Sequence, residues 1–200
     1  MRSFSNKYIF FYITVLVMVA AMLLTLVSLG LKPMREKNKQ IEKAQQILKA
    51  AGYKDIDKKE AIALFEKVSE RNDSDGQEKY KIQCADGTPG LVCYVSGKGL
   101  WGPIWGYIIL NEEHTEIKGV VFSHKSETPG LGDRITEDVF SQAFIGKKLY
   151  DKEGNFVSVR VLPAGRESGV SEDNRVDAIS GATLTSKGVD EMMGKLIIDN

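Results

Sequence analysis

The sequence predicts an α+β fold in which a largely antiparallel sheet carries flanking helices and is preceded by one N-terminal transmembrane helix. Three observations lead to this class. Residues 8–31 form an apolar run without a charged side chain. Residues 80–125 hold short runs of alternating apolar and polar residues, separated by turns rich in glycine or charge. Runs with the period of an amphipathic helix lie on both sides of them.

The N-terminal apolar run is long enough to cross a membrane. As a helix, its 24 residues would span about 36 Å, whereas a hydrocarbon core is about 30 Å thick. A cleaved signal peptide has a shorter apolar region and a cleavage site of small residues, and Ser28, Leu29 and Gly30 form a poor site. We therefore predict an uncut, single-pass anchor.

Three segments follow from this interpretation. Residues 1–32 are predicted to be an N-terminal tip and the transmembrane helix, residues 33–78 a helical stalk or connector, and residues 79–200 the main domain. The charges flanking the span bear on its orientation, because positive residues favour the cytoplasmic side. Before the span stand Arg2 and Lys7, and after it stand Lys32, Arg35, Lys37, Lys39 and Lys43. Counted alone, these charges place the body in the cytoplasm.

Two helices and four strands are predicted first in the body. One helix covers residues 34–52 and ends at Gly52, a common helix stop. The next covers residues 57–68 and begins with Asp57 and Glu60 in an arrangement that resembles a capping box. The strands are residues 80–84, 91–97, 102–111 and 118–125.

The remaining elements mix helices with short strands. A helix over residues 136–146 is predicted to be capped by Thr136, and an alternating strand covers residues 155–162. A short last strand over 176–180 leads into the last helix, residues 184–199. The predicted core side of that helix holds Val189, Met192, Met193 and Leu196.

Composition and motifs exclude several classes of function. The 27 basic and 27 acidic residues balance, which argues against a nucleic-acid partner. Dinucleotide-binding, phosphate-loop, metalloprotease and serine-hydrolase motifs are missing.

Cys84 and Cys93 either pair across a hairpin or are buried apolar residues, and they form no C-x-x-C metal motif. Of the two histidines, His124 is the stronger candidate for a site, since it precedes an unusual loop, although a plain loop histidine is favoured.

That loop, "KSETPGLGDR" at residues 125–134, is predicted to make a tight turn with Leu131 at its tip. Glu127 and Thr128 add polar groups. Such a loop could pack an apolar side chain on a flat ring while its amides bond the ring's edge, or it could be a plain connection. Glycines beside Trp101 likewise leave room for a planar ligand, or the strand simply carries aromatic core residues.

The stretch "DAISGATLTS" at residues 177–186 begins the last helix. Helix N-termini present unpaired amides that hold phosphate, and Gly181 and Ala182 are small enough for a bulky group to approach. Thr183 is then either a helix cap or an acceptor for such a group. Thr185 and Ser186 are the next candidates for an acceptor.

Asp177, Ser180, Gly181, Ala182 and Thr183 resemble the D-x-x-[ST]-G-A-T signature of FMN-binding domains with covalently attached flavin. The resemblance implies that Thr183 is esterified to the phosphate of FMN by a separate flavin transferase that uses FAD as donor. It also implies that residues 79–200 are the FMN-binding domain. Further implied contacts to the cofactor come from Trp101, Glu127, Thr128, Leu131 and Gly132.

The whole chain resembles the family of C subunits of the Na⁺-translocating NADH:quinone reductase. "GLKPMREKN", "GKGLWGPIWGYI", "SETPGLGDRI" and "DAISGATLTS" follow the same order in that family. The sister family consists of the G subunits of the Rnf electron-transport complex. "GLWGPIWGY" and the "LTS" after Thr183 favour the reductase family, while the chain is somewhat short for it.

The resemblance implies a membrane protein in which FMN relays electrons between its neighbours in the complex, the A, B, D, E and F subunits. It implies no catalytic acid–base residues and no bound metal. Against the charge count, it also implies a cytoplasmic tip within residues 1–32 and a body in the periplasm of a bacterial inner membrane. The chain alone is expected to bind neither NADH nor quinone. The alternatives are the Rnf counterpart, an anchored flavin module for sensing or assembly, and a structural domain in which "SGAT" is only a cap.

Overall fold

A computed structural model describes residues 5–72, 79–165 and 169–196. Contacts divide the chain into two units, Met1–Glu42 and Lys43–Asn200. The helices are α1 (Asn6–Ala50), α2 (Ala61–Val68), α3 (Asp138–Gln142) and α4 (Thr183–Met193), and short 3-10 turns cover Gly132–Thr136 and Glu172–Asn174. The strands are β1 (Ser69–Asn72), β2 (Lys79–Gln83), β3 (Pro89–Lys98), β4 (Pro103–Leu110), β5 (Ile117–His124), β6 (Arg160–Leu162) and β7 (Arg175–Asp177).

The first unit is helical, and its apolar side chains are exposed. Among the described residues, α1 is the one helix long and apolar enough to cross a membrane. The hydroxyls of Thr14 and Thr25 donate to carbonyls four residues earlier, at 2.9 and 2.8 Å. These polar groups are therefore satisfied within the helix, as a lipid environment requires. The unit fits a single-pass membrane anchor.

The predicted transmembrane helix and the helix predicted over residues 34–52 are one continuous helix, α1, which runs through Pro33. Proline removes one backbone hydrogen bond and crowds the preceding turn. The Arg35 guanidinium donates to the Ser28 carbonyl oxygen at 3.2 Å and to the Ser28 hydroxyl at 3.0 Å, which adds side-chain bonds across this part of the helix.

In the second unit, β1 to β5 form one antiparallel sheet in chain order. This confirms the predicted fold class and largely antiparallel sheet. Alternation along the strands sends Cys93, Val95 and Phe122 into one core and Val92 and Ile109 into another. The sheet is therefore buried on both faces over most of its area.

The first of these cores lies under α3, α4 and the short parallel pair β6–β7. The rings of Phe122, Phe140 and Phe144 contact one another with centroids 5.1–5.6 Å apart. The predicted core side of the last helix is confirmed for Val189, Met192 and Met193, which are buried in α4. The helix ends at Met193, short of the predicted end, and Leu196 is buried just after it.

The second core lies under the end of α1 and under α2. Ile47 and Leu48 are fully buried there, and Leu64 and Phe65 pack against the same cluster. The boundary between the two compact units of the chain therefore falls after Glu42. The boundaries at residues 32 and 78 follow composition and stay a prediction, and residue 78 itself is outside the described residues.

Two predicted helix starts are wrong. Thr136 caps no α-helix, because residues 132–136 form a 3-10 turn in which its hydroxyl donates to the Asp133 carbonyl at 2.9 Å. The second helix begins at Ala61 rather than residue 57, and the Asp57 carboxylate accepts from the Lys59 amide at 3.0 Å instead. Both side chains satisfy local turns, which compete with capping.

The strand predicted over residues 155–162 is present only as β6. Ser158 has a φ of 58°, which breaks the extended backbone, and its hydroxyl donates to the Met193 carbonyl at 2.8 Å. The predicted strand 176–180 is β7, and it ends at Asp177. It pairs in parallel with β6, with Val161 opposite Val176.

The two cysteines are free and buried, so the interpretation as a disulfide is wrong. Cys84 belongs to the core under α1 and α2, whereas Cys93 belongs to the core under α4. Burial raises the pKa of the Cys84 thiol. Both residues act as small apolar side chains.

Candidate functional site

Three separate segments meet at the buried carboxylate of Glu127: the turn 99–102, the loop 125–132 and the start of α4. One carboxylate oxygen, Oε1, accepts a hydrogen bond from the Trp101 amide at 2.9 Å. The other, Oε2, accepts from the Thr185 hydroxyl at 2.6 Å. Glu127 is only 4% exposed. Residues 58 positions apart in sequence are thus joined by one side chain.

Glycines make room for this carboxylate. A Cβ added to Gly132 would lie 2.6 Å from both Glu127 Oε2 and Thr185 Oγ1. One added to Gly99 would lie 2.5 Å from Glu127 Oε1. These approaches are too close for any other residue, so Gly99 and Gly132 are required by the packing.

Glu127 is held in its ionised form. Burial alone would raise the pKa of this carboxyl. Hydrogen bonds from the Thr185 hydroxyl and from the amides of Trp101, Leu100 and Gly102 outweigh burial, so the pKa lies below its ordinary value. The site therefore contains a fixed negative charge at neutral pH.

The loop after β5 holds Leu131 at its tip. The Thr128 carbonyl accepts from the amides of Leu131 and Asp133, at 3.1 and 3.3 Å. Pro129 followed by Gly130 at a φ of 74° matches a type II turn. These two loop amides are used within the turn and are not free for the edge of a ring. The Glu127 amide also donates to His124 Nδ1 at 3.1 Å, which gives this histidine a structural role.

The stretch before α4 makes a second turn. The Ala182 amide donates to the Ile179 carbonyl at 3.0 Å, and Gly181 has a φ of 81°. A Cβ added to Gly181 would lie 3.1 Å from Leu131 Cδ2. The loop tip and the start of α4 are therefore neighbours.

The four hydroxyls of this stretch fall into two groups. Thr185 and Ser186 are each 1% exposed; Thr185 donates to Glu127, and Ser186 accepts from the Ile179 amide at 3.1 Å. Ser180 and Thr183 are exposed. Thr183 is the first residue of α4, and the cap position belongs to Ala182, which has no capping side chain. The interpretation of Thr183 as the helix cap is therefore wrong.

Large apolar side chains are exposed on the segments that meet here. Their exposed fractions are 46% for Leu100, 68% for Trp101, 44% for Leu131 and 58% for Leu184. A group of exposed apolar side chains around one site is typical of ligand binding. Together with the uncapped amides of α4, it fits a ligand that has an apolar planar ring and a phosphate.

Asp177 lies at the end of β7, outside the Glu127 cluster. It is exposed and accepts from the Arg175 guanidinium at 3.4 Å. With Ser180 it borders a cleft of about 560 Å³ that also includes Arg134, Phe140 and Lys147. The side chain is thus available to a partner protein but makes no described contact with Trp101 or Leu131.

The structure brings together most residues that the sequence singled out. Trp101, Glu127, Leu131, Gly132 and the Gly181–Thr183 stretch lie on the three meeting segments, and Thr128 contributes its carbonyl to the loop turn. Sequence reasoning missed Leu100, Leu184 and the structural use of Thr185. An apolar residue directly after a polar helix start was the available signal for Leu184. Among the described residues, no group of His, Cys, Asp and Glu side chains is arranged to hold a metal ion.

The fold and this site define a flavin-binding domain behind an apolar helix. The family described as FMN-binding domain matches residues 99–197, which include all three segments of the site. The chain is 30% identical over 203 residues to the C subunit of the Na⁺-translocating NADH-quinone reductase of Neisseria meningitidis serogroup A, covering 80% of this chain and 77% of that protein.

Two solved structures are also similar to this chain. The C subunit of the same reductase from Parabacteroides distasonis has a TM-score of 0.72 and 34% identity, with 83% of this chain and 92% of that chain covered. NqrC of Shewanella oneidensis has a TM-score of 0.63 and 26% identity, over 78% of this chain and 90% of that chain. This chain belongs to the family of C subunits of Na⁺-translocating NADH-quinone reductases, which confirms that resemblance.

Proposed function

We propose that this chain is the FMN-carrying, electron-relaying subunit of a Na⁺-pumping NADH:ubiquinone or menaquinone oxidoreductase, with FMN joined to Thr183 through a phosphoester. The proposal rests mainly on the following observation. Thr183 exposes its hydroxyl in the uncapped first turn of α4, on segments whose apolar side chains Leu131, Leu184 and Trp101 are also exposed.

Attachment requires a group transfer onto Thr183. In the proposed step, Thr183 Oγ1 bonds to the phosphorus of the FMN half of FAD, the pyrophosphate P–O bond breaks, and AMP leaves. The hydroxyl proton passes to a base of the flavin transferase. Asp177 and Ser180 are exposed close in sequence to the acceptor, so they are available for the transferase to recognise.

The remaining residues hold the cofactor. FMN supplies the electron-transfer chemistry when it is bound. Electron transfer requires no catalytic acid–base pair from this chain. Trp101 and Leu131 provide apolar contacts, while Glu127 organises the segments behind them. The A, B, D, E and F subunits of the complex are the proposed partners, and the chain itself binds neither NADH nor quinone.

Reduction of the isolated chain tests the relay. We expect dithionite to bleach the flavin absorption of the purified chain, whereas NADH leaves it unchanged, because we propose that the chain itself does not bind NADH. In the whole complex, NADH should bleach the same flavin. Bleaching of the isolated chain by NADH contradicts the relay.

Complementation separates this function from an anchored sensing module. In cells that lack the native gene, the wild-type chain should restore Na⁺-stimulated quinone reduction by NADH, and Thr183→Ala should not. Equal restoration by both chains, with flavin present only in the wild type, favours sensing or assembly.

We further propose that the anchor lies in a bacterial inner membrane and the body in the periplasm. Lys152 is exposed in a turn, whereas both native thiols are buried. We expect Lys152→Cys to react with a membrane-impermeant maleimide in intact spheroplasts, and the unsubstituted chain to react little. Labelling that begins only after lysis places the body in the cytoplasm, as the charge count predicts.

A further inference from the structure

We infer that Glu127 is a positioning residue for the flavin site. Its side chain joins α4, which carries the proposed acceptor Thr183, to the turn that carries Trp101, and it adds a fixed negative charge. It is not itself a ligand of the ring. The inference rests on the proposed attachment of FMN to Thr183. It concerns how this chain prepares the site before and after flavin is bound.

The geometry shows that the carboxylate acts through other residues. Each of its oxygens binds a different segment, Oε1 the Trp101 amide at 2.9 Å and Oε2 the Thr185 hydroxyl at 2.6 Å. Thr185 lies two residues after the proposed acceptor in α4. One buried side chain therefore links the first turn of α4 to the turn that carries the exposed indole of Trp101.

The carboxylate lies close to the backbone of two glycines. Gly99 stands against Oε1 and Gly132 against Oε2, and an added Cβ at either position would lie within 2.6 Å of the carboxylate. The Glu127 amide is also bonded to His124 Nδ1 at 3.1 Å. The residue is thus fixed from its backbone to both oxygens.

The charge is balanced by dipoles and not by a cation. All described partners of the carboxylate are the Thr185 hydroxyl and backbone amides, and no ion pair to Glu127 occurs in the described part of the chain. A buried charge without a counter-charge acts strongly on its surroundings, since the local dielectric constant is low. Added electrons on a neighbouring ring are disfavoured by it.

Two consequences follow. Glu127→Gln keeps the size of the side chain but removes its charge, so the midpoint potential of the attached flavin should become more positive. Thr185→Val keeps the shape of Thr185 but removes the hydroxyl and leaves one buried carboxylate oxygen unpaired. Because the first turn of α4 loses this bond to a charged group, flavin attachment should fall by about tenfold when the transferase is limiting.

The experiment uses full-length chains produced with the flavin transferase and purified from membranes. Intact mass gives the fraction that carries flavin, and a redox titration gives the midpoint potential. Glu113→Gln, an exposed glutamate in the turn between β4 and β5, is the matched control for the charge change. Thr185→Ser keeps the hydroxyl and is the matched control for Thr185→Val.

We expect Glu127→Gln to shift the potential upward relative to wild type and Glu113→Gln, and Thr185→Ser to restore the attachment that Thr185→Val loses. A wild-type potential in flavin-loaded Glu127→Gln, or equal attachment in the two Thr185 variants, overturns the inference. If Glu127→Gln fails to fold, the Thr185 pair decides. If the wild-type chain carries no covalent flavin, the proposed function itself is contradicted.

Discussion

Replacing Thr183 with alanine is expected to abolish covalently bound flavin, so the denatured protein should show no flavin fluorescence in a gel. The substitution removes the only atom that can form the phosphoester at this position. The fold should persist, because the Thr183 side chain is exposed and makes no capping bond. Thr183→Ser, which keeps a hydroxyl, should retain fluorescence.

A matched control is Thr136→Ala, which removes another exposed threonine hydroxyl outside the site. Its fluorescence should equal that of the wild type. Fluorescence that survives Thr183→Ala would place the attachment elsewhere. Ser180 would then be the next candidate, since Thr185 and Ser186 are buried and bonded within the protein.

Gly188→Ala is expected to destabilise the domain and to displace the acceptor helix. Gly188 packs directly on β3, where an added Cβ would overlap the Lys98 carbonyl oxygen and approach Ile104 to 3.2 Å. The obstacle is backbone, so either α4 or β3 must shift. Overpacking of this kind costs about 1–3 kcal/mol or more, and because α4 begins at Thr183, the shift would also reach the site.

Thermal unfolding of the detergent-solubilised full chain measures this effect. Each kcal/mol lowers Tm by about 2–4 °C for a domain of this size. Gly194→Ala is the matched control, because Gly194 has a helical φ of −64° and its added Cβ would meet nothing closer than 3.7 Å. Its Tm should stay the same or rise slightly. Equal Tm values for the two variants contradict the close packing of α4 on β3.

The spacing of apolar residues predicted the sheet and the last helix, because buried positions recur at a regular interval along each of these elements. Alternation in β3 to β5 reflects two buried faces of the sheet, and the apolar residues from Val189 to Met193 reflect one buried side of α4. The same spacing did not predict the backbone conformation at two positions. Pro33 stays inside a helix, and Ser158 leaves the extended conformation to bond the Met193 carbonyl.

The motif around Thr183 could be found from sequence, but the structure behind it could not. Glu127 and Thr185 are 58 residues apart, and no periodicity connects them. Spacing alone favoured a helix cap at Thr183 and left Thr185 as a possible acceptor. In the structure, the Thr185 hydroxyl is buried against Glu127, and Ala182 occupies the cap position of α4. Thr183 is exposed, which supports the acceptor that we propose.

Peptide mass spectrometry of the chain extracted from its native membrane tests the central proposal most directly. Trypsin cuts after Arg175 and Lys187, which releases residues 176–187 with all four hydroxyls of the motif. We predict that this peptide carries one FMN phosphoester and that fragmentation places it on Thr183. An unmodified peptide, or FMN on Ser180, Thr185 or Ser186, would contradict the proposed attachment at Thr183.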